Sequence, residues 1–252
     1  MKLKIFLFFL PLLISCDYVL NLKRTGDIIT ITQELDTVNW NIAPKIEVFA
    51  PVRIIPVISN ENKIEITGMD FIVNDYELIQ SDKKLVIEHK HLDRLQESKI
   101  ADIILYAPKF ESIIVNSPCK FDHKDTLYIN KLQIVINGKG INTSGNLILK
   151  GNNFNFAAYG LSKCEMNFSG ELKSAYYVLQ GGAKINTKEL LTEKVEIIHK
   201  SYVDFYVNVL KSLNVKIYAP GNVYYKGNPE VKCENIENNL FNATGNVSKI
   251  SD

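Results

Sequence analysis

The sequence predicts an all-β fold, a solenoid-like stack of β-strand coils of the single-stranded β-helix type, with a β-sandwich as the alternative. Three observations lead there. Ile and Val dominate the apolar residues and Ala is scarce; β-branched side chains suit a pleated surface and lose rotamer freedom in a helix. Apolar residues alternate in short runs such as Leu132-Ile134-Ile136 and Val195-Ile197, which puts them on one face of a strand. A seven-residue frame recurs about every 20 residues through the C-terminal half, a period typical of solenoids.

The first 15 residues stand apart. Lys2 and Lys4 precede an apolar run from Ile5 to Ile14, the form of a secretory signal; a membrane-spanning helix needs about 20 such residues. The run ends in Leu13-Ile14-Ser15-Cys16, which resembles the bacterial lipobox. That resemblance implies cleavage before Cys16, lipid on its thiol and acylation of the new N-terminus, and two or more acyl chains anchor stably where one does not. The expected organisation is a signal peptide over 1–15, a lipidated tether over 16–25 and one β-domain over 26–252, with repeat units best defined over 110–247. No acidic run follows Cys16, which favours the periplasmic side of the outer membrane over the cell surface. Twenty-nine basic against 28 acidic residues give a net charge of +1, and nothing in that balance marks a nucleic-acid partner.

From Gly26 to Pro56 the alternation is loose and broken by Pro44, Pro51 and Pro56, so strands here are short or keep proline at their edges. Leu78 to Ile87 reads as two strands about Ser81-Asp82-Lys83-Lys84, and His89 to Lys99 as a helical turn or long loop. The recurring frame begins at Val115, Ile136, Phe156, Leu179, Ile197, Ile217 and Phe241. Its fifth position is always small: Cys119, Gly140, Gly160, Ala183, Ser201, Gly221 and Gly245. A small residue at a fixed point of every coil marks a corner where neighbouring backbones crowd. Asn116, Asn137 and Asn242 share the second position and are candidates for a ladder between coils. His199 falls on a small-residue position and reads as a corner. Cys119, Cys164 and Cys233 have no zinc-like spacing and read as small buried residues.

Ile217-Tyr218-Ala219-Pro220-Gly221-Asn222-Val223, followed by Tyr225-Lys226-Gly227-Asn228-Pro229, resembles the Gly-x-Gly-Asp-Ile unit and its trailing Tyr-x-Gly-x-Pro in the head GIN domain of putative auto-transporter adhesins. The resemblance runs from about Ile46 to Val247. It implies an all-β, solenoid-like fold and brings no catalytic residue or ligand. Lys120, Lys184, Tyr202, Asn222 and Asn246 stand where the family has Asp, which weighs against a calcium site.

No metal site, cofactor or catalytic constellation emerges. His89 and His91 lie among basic, loop-like residues, and Asp122-His123 near Ser117 lacks the nucleophile elbow and oriented base of a hydrolase. Tyrosines cluster in the C-terminal third and read as aromatic stacks packing inside or between coils; the alternative is a binding face, with Tyr202, Tyr206, Tyr224 and Tyr225 as its candidates, because tyrosine offers apolar area with a polar tip. The function expected is a non-enzymatic, lipid-anchored envelope protein, an adhesin-like or structural module for a protein or glycan partner. The alternative is a polysaccharide-active enzyme on a β-helix scaffold, which needs paired carboxylates on one face.

Overall fold

The computed structural model describes residues 26–35, 45–81, 84–90, 100–160, 163–237 and 242–250. Cys16, His91, Leu161, Phe241 and the signal and tether segments lie outside them. Strand makes up 72% of the structure and helix 2%, and the strands wind a β-solenoid of about six turns. The β-sandwich alternative is not favoured.

Five long strands form the body: β9 (Cys119–Ile136), β10 (Ser144–Ala158), β11 (Glu165–Gly181), β12 (Lys184–Ser201) and β13 (Phe205–Ile217), numbered in chain order with the shorter strands given below. Each pairs in parallel with the next. The last coil is split between β14 (Val223–Gly227) and β15 (Glu230–Asn235), both on β13, and β16 (Val247–Lys249) adds to β14. Parallel in-register pairing stacks equivalent residues in columns. One inward column runs Ile134, Phe156, Tyr177, Ile197 and Val215, all buried. Where aromatics fall together they meet edge to face: Phe154 on Phe168 at 4.9 Å, Phe156 on Phe168 at 5.3 Å and Tyr177 on Phe205 at 5.0 Å, the geometry the ring quadrupole favours.

The long strands bend midway. Gly170 adopts φ +111° there, a conformation costly for any residue with a Cβ, and a Cβ would overlap the Leu149 carbonyl of the coil below. The bend gives each coil two walls, so side chains on either side of it point to different surroundings.

The N-terminal end is less regular. β2 (Lys45–Val48), β3 (Val52–Ile58), β6 (Lys84–His89), β7 (Ala101–Ala107) and β8 (Ser112–Val115) complete the stack. β2 lies between β6 and β8, and β3 between β7 and β9, all parallel. The coil of residues 45–58 is therefore flanked by two coils made later in the chain. Antiparallel strands close this end: β1 (Ile28–Glu34) on β4 (Lys63–Met69), β4 on β7, and β5 (Tyr76–Ser81) on β6. The β5–β6 hairpin falls where the sequence places it. A four-residue helix, α1 (Asp70–Val73), follows β4 and was not expected.

The stack corrects the repeat register. The column through Val115 and Ile136 continues through Ala158, Leu179, His199, Ile217 and Asn235. The frame is right at 115, 136, 179 and 217, but slips by two residues at Phe156 and Ile197. The loops explain the slip: residues 137–143 join β9 to β10, but only 182–183 join β11 to β12. A frame of fixed length cannot follow linkers of unequal length. His199 is consequently an inward column residue, 0% exposed, and not a corner.

Candidate functional site

The outward side chains of the first wall form one continuous row. Phe205 and Val207 are buried, so alternation turns Tyr206 outward, and Tyr224 lies beside it in register. The row runs Asp122, Asn146, Asn167, Asn186, Tyr206, Tyr224 and Ser248. Asn167 Nδ2 donates to Asn146 Oδ1 at 2.8 Å, and Asn186 Nδ2 to Asn167 Oδ1 at 3.2 Å. The Tyr206 and Tyr224 rings stack at 5.0 Å and 20°. The Lys188 ammonium lies over the Tyr206 ring, 4.1 Å from its centroid, a cation–π contact. The backbone of Tyr206 is held from behind. Thr187 Oγ1 donates to the Tyr206 carbonyl at 2.6 Å and also bonds the buried Tyr177 hydroxyl, whose pKa burial pushes up. The rings are thus fixed on paired strands, the arrangement that limits ordering cost on binding.

The four tyrosines of the predicted face do not all share it. Tyr206 and Tyr224 do. Tyr225 lies beside the buried Val207 and packs against the core, because it follows Tyr224 on a strand and so points the other way. Tyr202 sits between β12 and β13, 65% exposed.

A second ladder runs beside the row. Asn222 donates to Asp204 Oδ1 from its backbone N–H at 2.9 Å and from Nδ2 at 3.1 Å, and its own Oδ1 accepts from the Asn246 N–H at 3.0 Å. The Asn222 side chain acts here as a hydrogen-bond relay, and Asn246 joins it through its backbone. Among the described residues no group of three or more His, Cys, Asp and Glu could hold a metal. The ladder expected through Asn116, Asn137 and Asn242 forms between the first two, at 2.8 Å. Its column passes Tyr159 and Tyr218 and reaches Ile236, not Asn242.

The small residues of the repeat occupy unlike places. Gly140 is buried in the β9–β10 loop, where a Cβ would stand 2.9 Å from Ile136 Cγ2 and 3.1 Å from the Val115 carbonyl oxygen. At Gly221 a Cβ would lie 2.6 Å from the Ser201 and Val203 oxygens, and at Gly245 it would meet the Gly221 carbonyl. Ser201 is buried and its hydroxyl donates to the Gly181 carbonyl at 2.7 Å. Gly160 instead has φ +75°. Cys119 is not a corner: it opens β9, paired with Val52. Ala183 stands immediately before β12, buried at 2%. Cys119 and Cys164 are buried, with thiol pKa pushed up to about 12 by burial. Cys233 departs from the expected burial and is exposed on β15.

His199 is the residue whose setting sequence reasoning missed. The Ser201 N–H donates to its Nδ1 at 3.3 Å, and its Nε2 faces the Asn222 carbonyl at 3.4 Å. Nδ1 is therefore the bare nitrogen and Nε2 carries the proton. Burial lowers its pKa to about 4, opposed by the Asn222 hydrogen bond and by Asp204.

Residues 44–229 match the family model described as "Putative auto-transporter adhesin, head GIN domain". The chain belongs to this family. The head GIN fold recurs in solved structures: a putative adhesin from Bacteroides fragilis (TM-score 0.72, 16% identity), a putative lipid binding protein from Parabacteroides distasonis (0.63, 15%) and a putative adhesin from Parabacteroides merdae (0.58, 16%). Each comparison covers 90% of this head GIN protein and 98% of the other chain. No curated protein matches it in sequence.

Proposed function

We propose that this head GIN protein is a non-enzymatic, adhesin-like binding module, held at the outer membrane by lipid on Cys16, which presents the Tyr206–Tyr224 pair to a protein or glycan of the envelope. The observation that carries the reading is the stacked, half-buried tyrosine pair at the end of an asparagine ladder, supported on rigid strands. Preorganised aromatic area beside amide donors and acceptors is the composition of a recognition surface. The family and the names of the Bacteroides fragilis and Parabacteroides merdae structures point the same way. No helix among the described residues is long and apolar enough to cross a membrane. The anchor in this reading is the lipid on Cys16, with the periplasmic leaflet favoured.

Three carboxylates of the solenoid are engaged in ion pairs, which supports binding over catalysis. Glu165 pairs with Lys184 at 3.0 Å, Glu193 with Lys211 at 2.6 Å and Glu171 with Lys150 at 3.8 Å, each between coils. These partners hold them as surface ion pairs rather than as an acid and base facing one substrate.

Two measurements test the reading. Wild-type cells should incorporate labelled fatty acid into the protein and Cys16→Ala cells should not; equal labelling removes the anchor. Envelope ligands recovered with the lipidated wild type should be lost with the Tyr206→Ala/Tyr224→Ala double variant, and unchanged recovery removes the binding row.

A further inference from the structure

The second wall, beyond the mid-strand bend, carries another outward surface. One column there reads Lys131, Asn153, Ser174 and Lys194 on four successive coils. The adjacent column places Asn155, Tyr176 and Glu196 alongside. Together these residues line a groove of about 400 Å³. Ser174 Oγ donates to Asn153 Oδ1 at 2.6 Å and Asn153 Nδ2 donates to the Asn130 carbonyl at 3.4 Å, which fixes the floor of the column.

The third column is apolar although it points outward. Val135, Ala157 and Val178 are only 8%, 5% and 7% exposed, and Ile114, Ile198 and Tyr176 pack against them. This ribbon is separate from the interior core. It supports the Tyr176 ring from one side. Glu196 and the Tyr159 and Tyr218 hydroxyls stand close to Tyr176, and burial, then these groups, raises its pKa.

We infer that this groove binds a linear, anionic polysaccharide running along the solenoid axis, with a sugar face on Tyr176 and carboxylates at Lys131 and Lys194. Three arguments select that ligand. Coils repeat about every 4.8 Å, close to the advance of one pyranose in an extended chain, so each sugar meets a fresh rung of the Lys-Asn-Ser-Lys column. The two lysines stand three coils apart, roughly 14 Å, and neither has an ion-pair partner among the described residues. An aromatic platform next to amide and hydroxyl groups matches a sugar, which has an apolar C–H face and a polar rim. Glu196 and Asn155 accept and donate to the hydroxyls of that rim. The site lies on a different wall from Tyr206 and Tyr224 and does not depend on them.

The test titrates the full-length chain, purified in detergent, with an oligogalacturonate hexamer and with cellohexaose as the uncharged probe. The charged hexamer should bind at least tenfold more tightly than the neutral one. Lys131→Glu/Lys194→Glu should remove that preference, Tyr176→Ala should weaken both probes at least tenfold, and Tyr176→Trp should retain binding. Tyr206→Ala/Tyr224→Ala should bind as wild type, which separates this site from the one proposed above. The inference is overturned if the oligogalacturonate does not bind, if Tyr176→Ala binds it normally, or if a photo-crosslinker at position 176 captures polypeptide rather than polysaccharide in cells.

Discussion

His199 makes the stability of the stack depend on pH, and the dependence can be worked from its surroundings. Its imidazole occupies a column between Leu179 and Ile217, is 0% exposed, and offers a bare Nδ1 to the Ser201 N–H. A proton on Nδ1 would place two donors face to face at a fully buried position. The folded-state pKa is about 4, against 6.5 for an ordinary histidine. The unfolded chain takes up the proton first, so stability attached to neutral His199 is intact above pH 6.5. It falls as pH drops below that value and is fully lost near pH 4, below which both states are protonated. The gap corresponds to about 3 kcal/mol. The assay is urea unfolding followed by circular dichroism between pH 7.5 and 4, on wild type and on His199→Leu, which keeps the column apolar. Other groups titrate in both proteins and cancel in the difference. At pH 7.5 the variant should be the less stable by about 1–2 kcal/mol, from the unpaired Ser201 N–H. The difference should then shift by about 3 kcal/mol in the variant's favour on acidification. A difference that does not change with pH would falsify the buried, neutral imidazole.

Three further outcomes follow from the geometry. Gly140→Val should destabilise by about 2 kcal/mol or more through overpacking against Ile136 and the Val115 carbonyl, whereas Lys139→Val, at an exposed position, should melt as wild type; equal melting temperatures refute the crowding. Phe154→Ala removes a ring in contact with Phe156, Phe168 and Tyr177 and should cost about 3–5 kcal/mol in denaturant unfolding. Gly170→Ala places a Cβ against the Leu149 carbonyl at φ +111° and should lower the melting temperature more than Ala substitution of its exposed neighbour Glu171.

The architecture was legible because two local signals agree with the global fold: alternation sets which side chains face inward, and the 20-residue spacing sets the stack. The candidate site was half legible. Tyr206 and Tyr224 were visible as tyrosines, but their pairing follows from inter-coil register, which the unequal loops obscure. Alternation alone separates Tyr224 from Tyr225, and applying it would have removed Tyr225 from the face. Asn146, Asn167 and Asn186 recur at 21 and 19 residues, a signal present in the chain and masked by the many other asparagines. His199 was misplaced because a buried polar residue in an apolar column breaks the pattern used to find columns. The bend at Gly170 was missed because it falls mid-strand, outside the repeated frame. The coil of residues 45–58 shows no repeat because its two spatial neighbours are not its neighbours in sequence.

That last arrangement bears on how the molecule is assembled. From β9 onward each coil docks on the one just completed, so ordering proceeds through short loops and costs little closure entropy per step. At the other end β2 must hold its place until β6 and β8 arrive, about 40 and 65 residues later in the chain. A polypeptide emerging N-terminus first therefore makes its hardest pairings earliest in sequence but completes them late. The C-terminal coils, by contrast, grow by addition, and the rate of folding is set at the N-terminal end of the stack.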